Sequence, residues 1–444
     1  MSALEGIAKN TELRNRLLFT LMILAIYRIG VHVPTPGVDS TAVMSFFQAQ
    51  SAGIFGLFNT FSGGALEQFS VFALGIMPYI SSSIIFQLLQ STIPHLEQLK
   101  KEGEQGRKKL NQYTRYGTVV LAVVQGYGIS SWLMGSSSPD GRPLVVAPEI
   151  GILPFQLMTV ITLTAGTCFI MWLGEQITER GIGNGASLII FCGIAAGIPS
   201  GAQQMWTLVS NGELSVMSAL ILLTFMVGVI AAIIYVEVGQ RRIPVAYTQR
   251  GQAGAQARQG TMQQQSHLPL KVNFSGVIPP IFASSLLMFP ATMAQFWQTP
   301  WLQSLQESLT PTGAIYNIMF IGLVIFFAFF YTDIVFNPEE VADNLKKYGG
   351  FVPGVRAGKS TAEHIKRVLD RVNTGGAIYL AAVCILPTLM VDQANLPFYF
   401  GGTGLLILVG VALDFTQQIQ SHLISQKYEG LMKGVKVKSR RVQY

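Results

Sequence analysis

Ten stretches of this chain are apolar over roughly the 20 residues that a helix needs to cross a hydrocarbon core of about 30 Å. No other feature restricts the fold as strongly. In lipid every backbone N–H and C=O must find its partner within the segment, so each stretch is expected to be a helix. They run approximately Leu17–Val33, Phe72–Ile93, Tyr116–Ser136, Ile152–Leu173, Gly181–Pro199, Leu214–Val236, Ser275–Trp297, Ala314–Phe336, Thr374–Val391 and Phe400–Leu423. Half of the 444 residues are hydrophobic and only 12% are charged, so lipid is the expected solvent for most of the chain. The first stretch follows Arg14 and Arg16 as a signal peptide would, but it is too long for an h-region and nine more follow. It is expected to remain in the mature protein.

The basic residues orient the bundle. Of the 30 Lys and Arg, all but Arg28, inside the first span, and Arg142 fall on the tails or alternate loops of one face. Basic loops are retained on the cytoplasmic side, which predicts a multi-pass protein with both termini cytoplasmic. The net charge of +7 is thereby concentrated on that face, where it can attract anionic membrane lipids or dock an acidic partner. Two of the basic loops, 237–274 and 337–373, exceed thirty residues, whereas a simple helix connector needs about 2–8. Their length points to a large cytosolic partner, one containing RNA among the possibilities.

Between the first two spans lies an apolar segment, Ile54–Leu66, interrupted by Gly63 and Gly64 and too short to cross. Two placements are open to it. It can rest at the external interface, or it can re-enter a cavity lined by protein, the one setting in which irregular backbone is tolerated at depth.

The spans are poor in ionisable groups of the kind carriers bury near the midplane. Glu237 and Asp333 fall near span ends, Asp414 lies in the last span, and Arg28 is expected to snorkel or pair structurally. Neutral polarity is commoner: Ser81, Ser82, Ser83 and Gln87 in the second span, Gln125 in the third, Ser284 and Ser285 in the seventh. Such side chains can hold helices together with contacts weak enough to open, roughly 0.6–2 kcal/mol each. The Gly-rich run Arg180–Ser187 has no strand before it, so a phosphate-binding loop is not expected there. Cys168, Cys192 and Cys384 are scattered in apolar runs, and the five histidines fit no metal or triad pattern. Neither catalytic residues nor a cofactor or metal are expected.

Eight motifs distributed along the chain resemble the SecY family, the channel subunits of the bacterial Sec translocase. They are FSGGA at Phe61–Ala65, FALGIMPYI at Phe72–Ile80, WLGEQITERGIGNG at Trp172–Gly185, GQRR at Gly239–Arg242, FNP at Phe336–Pro338, ADNLKK at Ala342–Lys347, FVPG at Phe351–Gly354 and FYFGGT at Phe398–Thr403. The resemblance implies an all-α membrane protein of ten transmembrane helices, in two pseudo-symmetric inverted five-helix halves around an hourglass pore, with a short re-entrant plug helix. The halves would be residues 1–205 and 206–444, dividing in the external loop near Gly201–Glu213. The family location is the bacterial cytoplasmic (inner) membrane.

What the family does is carried over position by position. A ring closing the pore would comprise Ile76, Ile80, Ile190, Ile281 and Ile407, with Ala186 where a sixth isoleucine is common, which softens the expected seal. Ile76 and Ile80, four apart, would share a helix face. The plug would comprise Ile54, Phe55, Leu57, Phe58, Asn59, Phe61, Ser62, Gly63 and Gly64. Ser81, Gln87, Gln125, Ser284 and Ser285 lie on segments matching a lateral gate, between spans two and three on one side and seven and eight on the other. Arg356, with Arg241, Arg242, Arg250 and Arg258, would dock the SecA motor or the ribosome with its RNA, although the tip Arg250–Arg258 lacks the paired basic residues common in relatives. The implied partners are SecE and SecG, SecA, the ribosome, signal peptides and unfolded preproteins. The implied function is to pass unfolded secretory polypeptides across the membrane and release apolar segments sideways into lipid. A secondary transporter with inverted repeats is the alternative from residue patterns alone.

Overall fold

The computed structural model describes residues 10–49, 54–139, 141–146, 149–150, 153–247, 266–296, 313–393 and 402–434. Helices occupy all ten expected spans: α1 (Thr11–Val31), α4 (Met77–Thr92), α6 (Glu104–Gly135), α7 (Phe155–Arg180), α8 (Gly185–Ser210), α9 (Val216–Val238), α10 (Ile278–Phe296), α11 (Ala314–Val335), α13 (Lys359–Gln393) and α14 (Gly402–Gly434). Among the described residues, seven helices are long and apolar enough by themselves to cross a membrane. Of these seven, α9 is the least buried against the rest of the protein, with Leu220, Ile221 and Val227 exposed. Inside the bundle, by contrast, one contiguous apolar core takes residues from α1, α4, α6, α7, α8, α10, α11, α13 and α14.

Two expected boundaries shift, each for a local reason. The second span was expected from Phe72, but residues 71–76 are turns and α4 begins only at Met77. Gly75 takes a left-handed φ of +58°, which ends one turn, and Pro78 at the start of α4 fixes the backbone that opens the helix. With 16 residues α4 rises about 24 Å, short of a full crossing. The loop expected over Gly201–Glu213 is also shorter, because α8 continues through Pro199 to Ser210 and only a brief connector precedes α9.

The glycine-rich run has a packing explanation. Asn184 caps α8 by accepting from the Ser187 N–H at 3.2 Å, and the N–H of Gly185 donates to the Thr178 hydroxyl at 2.9 Å. A Cβ on Gly185 would stand 1.8 Å from the carbonyl oxygen of Gly174, so glycine is what lets α7 and α8 close into a hairpin. At the basic end, Arg115 of α6 and Glu175 of α7 form an ion pair at 2.7 Å.

Outside the spans, α2 (Ser40–Ala49) was not anticipated. Asp39 opens it, accepting from the Thr41 hydroxyl at 2.6 Å and the N–H groups of Thr41 and Ala42. The Thr41 hydroxyl first, and those two N–H groups after it, hold the Asp39 carboxyl below the usual carboxylate range. On the basic face α5 (Pro94–Lys101) links α4 to α6.

The long loops 237–274 and 337–373 do not stay separate. Strand β3 (Gln240–Tyr247) pairs antiparallel with β4 (Ser266–Lys271) and with β5 (Gly350–Phe351) in the order β4-β3-β5. A second hairpin, β1 (Glu149–Ile150) and β2 (Leu153–Pro154), precedes α7. Beneath the three-stranded sheet, Ile243, Leu270 and Val352 pack with Ile365 and Leu369 of α13, and Val341 and Leu345 of α12 (Pro338–Lys347) flank them. The all-helical expectation therefore holds for the membrane part, while the two basic loops form one small body with its own apolar core. Alternation drives it: in β3 the side chains at 243 and 245 are buried while those at 242 and 244 are exposed.

Candidate functional site

The short segment between the first two spans forms α3 (Ile54–Ser62), and it lies inside the protein. Phe58 and Phe61 are buried in the main core and Ser62 is fully buried, while α3 packs along α8. An interfacial resting place, the bland alternative for this segment, is thus replaced by a re-entrant one. Ile54, Phe55 and Leu57 fall within the same helix.

Past its end the chain turns back sharply. Gly63 and Gly64 take φ of +69° and +86°, a region L side chains avoid. The Asn59 side chain then clasps the returning strand of chain: its Oδ1 accepts from the Glu67 N–H at 3.0 Å and its Nδ2 donates to the Glu67 carboxylate at 3.1 Å. From α1, Tyr27 Oη donates to the Ser62 carbonyl at 3.0 Å and Arg28 Nη1 to the Gly63 carbonyl at 2.8 Å. Arg28 neither reaches outward nor joins an ion pair among the described residues. Tyr27, Arg28 and the glycine at 193 are site residues that sequence reasoning did not assign. The lone cation in an apolar span was the available signal.

The five isoleucines arrive from four helices and are all buried in the same core as α3. Ile76 is the N-cap of α4 and Ile80 lies in its first turn, with the Ile80 N–H bonded to the Ile76 carbonyl at 3.1 Å. Ile190 lies on α8, Ile281 on α10 and Ile407 on α14, and none of the five is more than 7% exposed. Ala186, one turn before Ile190 on α8, is partly buried against this core. Helices α4 and α10 pack together, as do α8 and α14. All five are thus buried in the protein and not facing lipid, one of the two roles, with packing, that the residues alone suggested.

Helix α10 packs on α4 and α6 as well as on its neighbour α11, so it closes the seam where the gate was expected. Among the described residues, the polar side chains there bond on their own side of that seam. Gln87 donates to Ser83 at 3.2 Å and Ser284 to the Ile281 carbonyl at 2.9 Å, each within its own helix. Ser82, in contrast, donates to the Thr114 carbonyl at 2.8 Å and ties α4 to α6, on one side of the seam. Ser81 is half-buried on α4. Gln125 Oε1 and Ser285 Oγ are buried without a hydrogen-bond partner among the described residues.

On the basic face Arg241 and Arg242 are exposed on β3, and Arg356 is exposed on the turn after β5. Because β3 pairs with β5, the sheet brings these two separate loops into one surface. Arg250 and Arg258 lie outside the described residues.

Comparison with known proteins agrees with this geometry. The family model described as SecY matches residues 70–416. A protein translocase subunit SecY of Pseudomonas aeruginosa is 48% identical over 432 residues, covering 96% of this chain and 95% of the relative. Among solved structures, a SecY protein described by a plug domain that stabilises the closed state of the translocation channel and maintains a membrane seal superposes with a TM-score of 0.66 at 18% identity, over 97% of this chain and 96% of the other. Sec61 in the canine ribosome-channel complex from the endoplasmic reticulum does so with a TM-score of 0.64 at 18% identity, again over 97% and 96%. At that identity the two structures speak to the fold, which they share along nearly the whole length. The matched family model, the near full-length relative and the buried re-entrant helix lead to one assignment: this chain is a multi-pass membrane protein that belongs to the SecY family.

Proposed function

We propose that this chain is the protein-conducting channel of a Sec translocase, passing unfolded secretory polypeptides across the membrane and releasing apolar segments into lipid. The observation that carries the reading is the burial of α3 against α8, in the same core as Ile76, Ile80, Ile190, Ile281 and Ile407. A removable stopper packed against an apolar constriction is what a polypeptide pore needs at rest, since it must exclude water and ions until a substrate arrives. The seal described for the SecY structure above supports the same role for α3. The two halves, five spans each, meet where α8 packs on α14 and where α10 packs on α4 and α6; an inverted repeat is our reading of that division.

The physics of the cargo explains why both an axial and a lateral exit are useful. A charged residue at the bilayer centre costs about 2.5–3.5 kcal/mol, so a hydrophilic stretch with five charges faces on the order of 15 kcal/mol in lipid. A wet pore avoids that cost. Leu, Ile, Phe and Val gain about 0.3–0.6 kcal/mol each in lipid, so a twenty-residue apolar segment gains roughly 6–12 kcal/mol by leaving sideways. The seam between α10 and the α4–α6 pair is the lateral exit in this reading.

The basic face is taken as cytoplasmic, in a bacterial inner membrane with both termini on that side. The sheet body carrying Arg241, Arg242 and Arg356 is its docking surface for the ribosome and for SecA, with SecE and SecG as companions in the membrane. Support for the ribosome comes from the shared fold with Sec61, a channel described in a ribosome complex. Arg28, the cation in the apolar part of α1, does not favour the transporter alternative, because it is bonded to the carbonyl of Gly63.

The test is reconstitution. Proteoliposomes holding this chain with SecE, SecG, SecA and ATP should protect a secretory precursor from external protease. No protection where a known translocase protects would overturn the reading.

A further inference from the structure

We propose that Arg28 and Tyr27 of α1 form a latch that holds the plug helix α3 in its closed position. This rests on the reading of α3 as a plug and adds the device that keeps it there. The last carbonyls of a helix lack intrahelical donors and carry its negative dipole end. At the end of α3 the Asn59 carbonyl accepts from the Gly64 N–H at 3.0 Å and the Thr60 carbonyl from the Gly63 N–H at 3.3 Å. The carbonyls of Ser62 and Gly63 receive no turn N–H among the described residues and are taken instead by Tyr27 at 3.0 Å and Arg28 at 2.8 Å.

Several features fit a latch better than incidental packing. Arg28 is a cation inside an apolar span, an expensive placement that functional sites retain. Its guanidinium meets a carbonyl at a helix C-terminus, where a positive charge is favoured and the hydrogen bond is charge-assisted. No carboxylate forms an ion pair with it among the described residues, so the contact that satisfies it is one that plug displacement must break. Tyr27 is 1% exposed, and its hydroxyl likewise ends on the plug. Gly63 also rests directly on Gly193 of α8, the helix that also carries Ile190. The plug terminus is thus held by donors on the first span and by close contact with bare backbone on the fifth.

The test compares the full chain, purified with its associated membrane subunits, in planar bilayers at rest. Arg28→Met removes the charge but keeps most of the apolar stem, Tyr27→Phe removes only the hydroxyl, and Arg28→Lys keeps the charge. Loss of one charge-assisted bond should shift the open-to-closed ratio of the plug on the order of tenfold or more. Resting conductance should therefore rise most in Arg28→Met, less in Tyr27→Phe, and stay near the parent in Arg28→Lys. A second readout follows the plug itself. With Cys168, Cys192 and Cys384 replaced by Ser, a Thr60→Cys probe should react faster with a membrane-impermeant maleimide when Arg28→Met is added. Deleting residues 54–66 is the control for the underlying reading. If the deletion leaves resting conductance unchanged, the plug reading fails and the latch with it. If the deletion leaks while Arg28→Met and Tyr27→Phe match the parent in both readouts, the plug stands and the latch is overturned.

Discussion

Gly63 and Gly193 meet backbone to backbone, so closely that a Cβ on Gly63 would stand 2.6 Å from the Cα of Gly193, while one on Gly193 would meet the Cα and N of Gly63 at 3.2 Å. The two positions are not equivalent. Gly63 also holds φ +69°, where an L side chain costs about 1–2 kcal/mol before any clash. Gly63→Ala is therefore expected to unseat the plug more than Gly193→Ala, with overpacking adding about 1–3 kcal/mol. Resting conductance in planar bilayers should rise in the order parent, Gly193→Ala, Gly63→Ala; the reverse order would mean that the contact does not set the plug position.

The ring is expected to respond to polarity more than to volume. Ile80→Ser and Ile281→Ser introduce hydroxyls where the side chains are 7% and 6% exposed, which should let water and ions enter the constriction. Ile→Val at the same positions trims one methylene at about 0.5–1.5 kcal/mol and should leave the seal nearly intact. Single-channel recordings at rest distinguish the two series, and equal conductance would remove these residues from the seal.

At the seam, Gln125 and Ser285 each bury a polar atom that no described residue satisfies. Replacing them with Leu and Ala removes a desolvation cost of about 1–3 kcal/mol each in the closed arrangement. Gln125→Leu and Ser285→Ala should hold the seam shut more firmly, lowering translocation of a precursor with a weakened signal peptide while a strong signal is passed normally. Ser82→Ala is the contrast, because its bond to Thr114 lies within the α4–α6 pair and its loss should lower thermal stability by about 0.6–1.7 kcal/mol without that selectivity.

The small sheet body separates binding from folding. Arg241→Glu, Arg242→Glu and Arg356→Glu alter exposed side chains and should weaken ribosome binding, with a flatter salt dependence, while the body stays folded. Ile365→Ala, at a position with no exposure, should instead destabilise the body by about 2–5 kcal/mol. Ribosome co-sedimentation over a salt series, paired with limited proteolysis of the sheet, separates the two effects.

Much of this architecture is visible in the sequence because lipid permits so few backbone solutions. Ten apolar stretches became ten helices, and the segregation of basic residues marked one face. The details that escaped were those decided by tertiary contact. A span beginning at Phe72 ignores the left-handed Gly75 and the helix-opening Pro78, which a hydropathy pattern does not register. The Ile243 and Val245 alternation is too brief to declare a strand until β4 supplies its partner. The isoleucines carry no periodic signal beyond the 76 and 80 pair, so their assignment to a ring came through the family resemblance and not through spacing. Arg28 stood out as a misplaced charge, but its acceptor is a backbone carbonyl, which a search for partner side chains does not find.

The polypeptide path is tested most directly by photo-crosslinking from the channel to a precursor stalled in transit. A photoreactive residue is placed singly at 80, 190, 281 or 407, with Leu220 on the outward face of α9 as the control. Adducts to the stalled chain from all four ring positions, dependent on the motor and ATP and missing from position 220, are the expected result. Protection of the precursor from protease with no adduct at any ring position would contradict passage through this constriction.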